Sequence, residues 1–234
     1  MRRIHNFDDF VNALLDAGFS VGSMGNSDGI FSLIPWGWNE TPPYETPVTW
    51  HTEDPETDPW EWRMRVLDER GDIAYGKFFF KKSGYITKAW YPAFLAARRR
   101  GMTFEEAYAE GKITHFAKRI YHIVALHGNL PLHGIKQLGG FSKEDKSGFD
   151  RALTELQMHL FLTMCGRQQK LSQKGVEYGW SSTVFCTTER FFGEEVFAEA
   201  AAMTPEAAGE KIRKQVLTLN PEAQEKKIKK FIFG

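Results

Sequence analysis

The run KITHFAKRIYHIVALHGNLPLHGIKQLGGFSKEDKSGFDRALTELQMHLFLTMCGRQQKLSQKGVEYGWSSTVFCTTERFF, Lys112 to Phe192, decides the fold. Its first part, Ile113 to Leu126, sets Ile113, Phe116, Ile120, Ile123, Val124 and His127 at helical spacing on one face. Gly128-Asn129 stops that helix, and Pro131 suits the start of a short second one, Leu132 to Leu138. After Gly139-Gly140, the Ser142-Lys-Glu-Asp145 spacing marks an N-terminal cap. A third helix follows from Asp145 to Phe161, with Phe149, Leu153, Leu156, Leu160 and Phe161 inward. Two β-leaning runs, Leu160 to Gln168 and Trp180 to Phe191, flank the polar segment Gln169 to Gly179. Helix, short helix, long helix and hairpin is the order of a winged helix-turn-helix domain.

In that arrangement the third helix reads the DNA major groove and the hairpin tip, the wing, touches backbone or minor groove. The polar face of the third helix offers Lys143, Lys146, Ser147, Arg151, Thr154 and Gln157. The wing offers Arg167, Gln168, Gln169, Lys170, Gln173 and Lys174. Lysine and arginine suit phosphates, whereas Gln, Thr and Arg also reach base edges. The competing reading is a solvated helix face and a solvated loop, on a domain that meets a protein instead.

Charge supports contact through the later part of the chain. The 30 basic and 30 acidic side chains cancel, yet residues 1–76 hold 14 acids against 5 bases and the remainder is basic. Zero net charge argues against indiscriminate binding, which depends on phosphate neutralisation. No apolar run has membrane-spanning length and MRRIHNFDDF lacks an apolar leader core, so the expected location is cytoplasmic.

The acidic third contains five of the seven tryptophans, Trp36, Trp38, Trp50, Trp60 and Trp62, interleaved with prolines. Such a stretch either stacks a flat ligand, with Trp36 and Trp38 the candidates, or builds a small core where secondary structure is lacking. Asp58 and Glu61 are the carboxylates placed to support positive charge, as base excision requires. The alternative is that the acids merely solubilise a loop. No histidine spacing suggests a metal site, no cofactor is expected, and Gly22 to Gly29 lacks both the P-loop ending and GxGxxG spacing. Cys165 and Cys186 fall on the two wing strands, opposite each other for a hairpin centred near Gly175, either as a redox pair or as buried thiols.

The rest of the chain reads as an α+β extension. A helix runs from Asn6 to Gly18, a strand covers Ile30 to Ile34, and a helix or strand covers Glu61 to Leu67. Asp72 to Phe80 and Gly84 to Thr87 pair across a Lys-Lys-Ser-Gly turn, and short helices cover Ala93 to Arg100 and Thr103 to Glu110. Arg98, Arg99 and Arg100 either add a backbone contact or favour their helix end. Three more helices start near Gly193, Thr204 and Asn220, and the apolar FIF end docks onto the body. The expected division is residues 1–111, 112–192 and 193–234.

The runs FDRALTELQMHLFLTMCGRQQK (149–170) and YGWSSTVFCTTERFF (178–192), with its Thr188-Glu189-Arg190, resemble the winged-helix segment of bacterial AlkZ-like proteins. The tail LNPEAQEKKIKKF resembles a form seen in short relatives, and the likeness covers residues 112–233. The resemblance implies a winged-helix fold, double-stranded DNA as partner, and DNA glycosylase action in repair of alkylated or crosslinked DNA. The family's Gln-apolar-Gln or Gln-apolar-Asp motif is approximated only by Gln157-Met158-His159, so no catalytic residue is carried over. A non-enzymatic transcriptional regulator or protein-interaction module is the alternative.

Overall fold

The computed structural model describes residues 2–22, 29–171 and 175–234. It combines helices with an antiparallel sheet, an α+β arrangement. Helix α1 (Phe7–Ala17) is capped by the Asn6 side chain and ended by Gly18 in the left-handed region. Strand β1 (Phe19–Val21) follows, then the tryptophan-rich segment and α2 (Pro59–Glu69). Strands β2 (Ile73–Phe79) and β3 (Lys82–Thr87) form a hairpin. Helices α3 (Tyr91–Arg99) and α4 (Phe104–Ala109) lead to α5 (His115–His127), β4 (Leu130–Pro131), α6 (Leu132–Leu138) and α7 (Lys146–Met158). A second hairpin, β5 (Leu162–Leu171) and β6 (Glu177–Thr187), precedes α8 (Thr188–Phe192), α9 (Glu194–Ala201), α10 (Pro205–Leu219) and α11 (Glu225–Phe233).

One six-stranded sheet, ordered β1-β3-β2-β5-β6-β4, runs through the chain across residue 111. The join is narrow: Tyr75 pairs with Met164, and the Thr163 hydroxyl adds a bond to the Tyr75 carbonyl. Side chains alternate between two cores, as period-two geometry demands. Ile73, Tyr75 and Tyr85 join the core of α1, α2, α5 and α7, while Ala74 and Ile86 join that of α3, α10 and α11. Phe78 and Phe79 break the alternation, because an extra residue between Gly76 and Phe79 shifts the register against β3. Both rings are fully buried, and Phe79 stacks on Phe231 at 4.2 Å, docking the C-terminal helix.

Several local expectations are corrected. Ile30 to Ile34 forms no strand; its backbone instead meets β1 through Val21 N–H to Phe31 O and Leu33 N–H to Ser20 Oγ. The β2–β3 turn is Phe80-Lys81, both at positive φ, rather than residues 81–84, which matches a two-residue turn between twisted strands. Residues 188–192 leave the sheet as α8, because Thr187 caps a helix start through Arg190 N–H. Helix α11 begins after Gln224, four residues beyond Asn220. His127 lies exposed instead of on the buried face of α5. Cys186 pairs with Thr163 rather than Cys165, which occupies the extra position of a bulge. Neither cysteine forms a disulfide, and their hydrogen bond holds the Cys165 thiol below its usual range while pushing Cys186 up. Most of the Gly22–Gly29 segment and both Gln173 and Lys174 lie outside the described residues. Among the described residues no helix is long and apolar enough to cross a membrane.

Candidate nucleic-acid interface and the aromatic cavity beside it

Helix α7 forms because Phe149, Leu153 and Leu156 recur at helical spacing and bury against α5 and the sheet. Its entry differs from a full capping box: the Asp145 carboxylate accepts from Ser142 N–H at 2.8 Å and Oγ at 3.0 Å, and Asp145 gives no side-chain cap. Those bonds hold the Asp145 carboxyl below the usual carboxylate range. The outer face of α7 borders a groove of about 1110 Å³. Lys143, Lys146, Ser147, Arg151 and Thr154 all border it, so five of the six residues expected on the polar face meet there. Lys143, Lys146 and Arg151 are exposed. Lys77 and Lys81, from the distant β2–β3 hairpin, complete the cationic rim. The facing acids are Glu144, Asp150 and Glu155, of which Glu155 is engaged by Thr114 N–H and Oγ1 at 2.7 and 2.9 Å.

Gln157 is turned the other way. It is 1 % exposed, its amide donates to Leu153 O, and its carbonyl accepts from Lys77 N–H at 2.9 Å. The expectation that it presents a base-reading amide outward is therefore corrected: it fastens β2 to α7. Gly76 makes that approach possible, since a Cβ there would lie 2.8 Å from Phe78 and 3.2 Å from the Gln157 oxygen.

Of the residues expected on a wing, the described ones, Arg167, Gln168, Gln169 and Lys170, do not line the α7 groove. Arg167 reaches toward α2, 3.7 Å from Glu61 Oε2 and 3.8 Å from Asp68 Oδ2. Gln169 braces its own hairpin by donating to Gly179 O at 2.8 Å, and Lys170 lies half-buried opposite Tyr178. The structure thus brings Arg167 to Glu61, joining an expected DNA contact to an expected catalytic acid.

Asp58 is wholly buried. Its two oxygens accept from the backbone N–H groups of His51, Thr52, Glu53 and Trp60 at 2.8 to 3.1 Å. It starts α2 and fixes a loop in which His51 and Glu53 adopt positive φ. Both oxygens are employed in this way, and neither Asp58 nor Glu61 borders the cavity formed by the tryptophans.

That cavity, about 610 Å³, lies between α2 and the edge β1-β3-β2 of the sheet. Trp38 and Trp60 are exposed at its rim, Trp50 and His51 flank it, and Trp62 sits behind on Phe10 at 5.1 Å. Trp36, the other stacking candidate, is instead buried against Tyr44 and lends its carbonyl to the Trp50 indole N–H. Tyr75 and Tyr85 form the floor with ring centroids 4.9 Å apart, and burial pushes the Tyr85 hydroxyl well above its usual range. Lys77 borders both this cavity and the α7 groove. The sequence signal for Lys77 and Lys81 was only two lysines beside a turn, with nothing local to aim them at α7.

No curated protein and no solved structure matches the chain. The family model described as AlkZ related matches residues 4–233, nearly the whole length and including the tryptophan-rich third. The chain belongs to the AlkZ-related family.

Proposed function

We propose that this protein is a winged helix-turn-helix DNA-binding member of its family, engaging double-stranded DNA along α7. The succession α5, β4, α6, α7, β5, β6, with β4 beside β6 and β6 beside β5, supports that reading of residues 112–192. The observation that carries it is the α7 groove, where Lys77, Lys81, Lys143, Lys146 and Arg151 converge from two separate segments. Five cations around one groove suit phosphates, and Thr154 offers a hydroxyl beside them. Action on alkylated or crosslinked DNA is the extension that family membership supports. The engagement of Asp58 by four backbone N–H groups favours binding as the primary reading over base hydrolysis by that carboxylate.

A salt titration of duplex binding tests this. Affinity should fall as salt rises, and Lys146→Ala and Arg151→Ala should each reduce the slope of log K against log salt by about 1. Both variants should retain wild-type stability within about 0.5 kcal/mol, because both side chains are exposed. Absence of duplex binding at low salt would overturn the reading and favour a protein-interaction module. Release of alkylated bases from a treated duplex is the matching test for catalysis.

A further inference from the structure

We infer that the cavity between α2 and the β1-β3-β2 edge binds a nucleotide, its base against the rim indoles and its phosphate toward Arg63 and Lys77. The walls specify a flat partner. Trp38 and Trp60 are 66 % and 44 % exposed, large apolar faces that gain from being covered. The Arg63 guanidinium lies over the Trp60 ring, 3.3 Å from its centroid, so it covers one face of that indole and sets a cation at the rim. The volume, about 610 Å³, falls within the usual range for small-molecule sites.

The polar groups specify the rest. Tyr75 and Tyr85 reach the cavity, and among the described residues no hydrogen bond uses either hydroxyl. They are the groups available to a base edge. Among the described residues the cavity is bordered by Arg63, Lys77 and Lys82 and by no carboxylate. Lys77 and Lys82 come from beyond residues 1–76, the stretch in which acids outnumber bases 14 to 5. The acids nearest in sequence are committed elsewhere, Asp58 to the helix cap and Glu61 toward Arg167. A flat uncharged ligand would leave Lys77 without an anion, and phosphate alone would leave the indoles unused. A nucleotide uses both.

Two sources supply this chemistry: a free mononucleotide, or a nucleotide unstacked from a strand in the α7 groove, which shares Lys77 with the cavity. The second source rests on the DNA-binding reading, whereas the first is independent of it. The test is calorimetric titration of the full chain with the four deoxynucleoside monophosphates, the matching nucleosides and inorganic phosphate. Saturable binding is expected, stronger for nucleotides than for nucleosides, with no saturation by phosphate alone. Trp60→Leu should weaken it about tenfold through lost stacking. Tyr85→Phe should weaken it with the fold unchanged, and Arg151→Ala should leave mononucleotide binding intact while lowering duplex affinity.

A second arm compares a fully paired duplex with one carrying a single unpaired nucleotide. A preference for the unpaired site, abolished by Trp60→Leu, would assign the strand as source. Mononucleotide binding without that preference would assign the free nucleotide. Absence of both at millimolar ligand, or binding indifferent to Trp60→Leu and Tyr85→Phe, would overturn the proposal. Loss of duplex binding alone would leave it standing, which separates its failure from that of the DNA reading.

Discussion

Helix α7 turns Lys146 and Arg151 toward solvent, whereas α3 turns Arg98 and Arg99 into the protein. Arg98 donates to the carbonyls of Phe78, Met158, Phe231 and Ile232 at 2.7 to 2.8 Å. Those oxygens come from the end of β2 and from the last turns of α7 and α11, where helix carbonyls lack intrahelical partners. Arg99 reaches Leu160 O and the Glu189 carboxylate while its guanidinium lies 4.2 Å from the Phe161 ring centroid. Thr188 Oγ1 donates to the same Leu160 carbonyl, so the Thr188-Glu189 pair helps pin a leucine held at positive φ. Identical charges thus do different work: Arg98 serves the last carbonyls of two helices and Arg99 binds Leu160 O and Glu189, whereas Lys146 and Arg151 stay exposed. Counting arginines along the basic portion of the chain does not distinguish them. Burial does.

The comparison breaks most visibly at Arg98. Arg98→Met removes four donors from buried carbonyls and should cost about 3 kcal/mol or more in urea unfolding. Duplex affinity per folded molecule should stay unchanged. A comparable loss of affinity with intact stability would put Arg98 in the interface and undo the contrast. Burial lowers the Arg98 pKa to about 10, so it stays charged at neutral pH and its role there is that of a cationic donor.

Asp58 provides the acidic counterpart. Asp58→Ala should cost about 1–2 kcal/mol through the lost cap, with a further penalty from the loop 51–53. Asp58→Asn keeps an acceptor and should recover part of that stability. Base-release activity lost in both variants while stability is preserved would instead mark a chemical role.

The smallest effect belongs to His159, which borders the α7 groove just beyond the helix end. Burial holds its imidazole below the usual histidine range, so protonation opposes folding. The stability it contributes is present above pH ~6.5 and lost as pH falls through the depressed folded value. Comparing unfolding of wild type and His159→Gln between pH 5 and 8 should show a flatter profile in the variant. An unchanged profile would remove His159 from the account.

Much of the element order was legible because its causes are local. Asn6, Thr103 and Thr204 cap helices through the backbone within three residues, and periodic apolar positions set the faces of α1, α5 and α7. The exposed cations of α7 followed from the same periodicity. Gln157 did not, since its position admits either face and the deciding partner, Lys77 N–H, is 80 residues away. The tryptophan-rich segment was legible as a choice between core and pocket, and the fold divides it: Trp36 and Trp62 are buried, Trp38 and Trp60 form the rim.

The sequence by itself therefore determined the α+β class, most of the helices with caps such as Asn6, Thr103 and Thr204, the uneven charge and the outward cations of α7. Tertiary structure alone decided that Arg98 ends two helices and Arg99 pins Leu160, that Asp58 fixes a loop, and that Lys77 links a groove to an aromatic cavity. The physical reason is range. Caps and amphipathic faces are set by neighbours within one or two turns, whereas the Arg98 acceptors lie 20, 60, 133 and 134 residues distant and exist as a group only after the sheet and both helix layers have assembled.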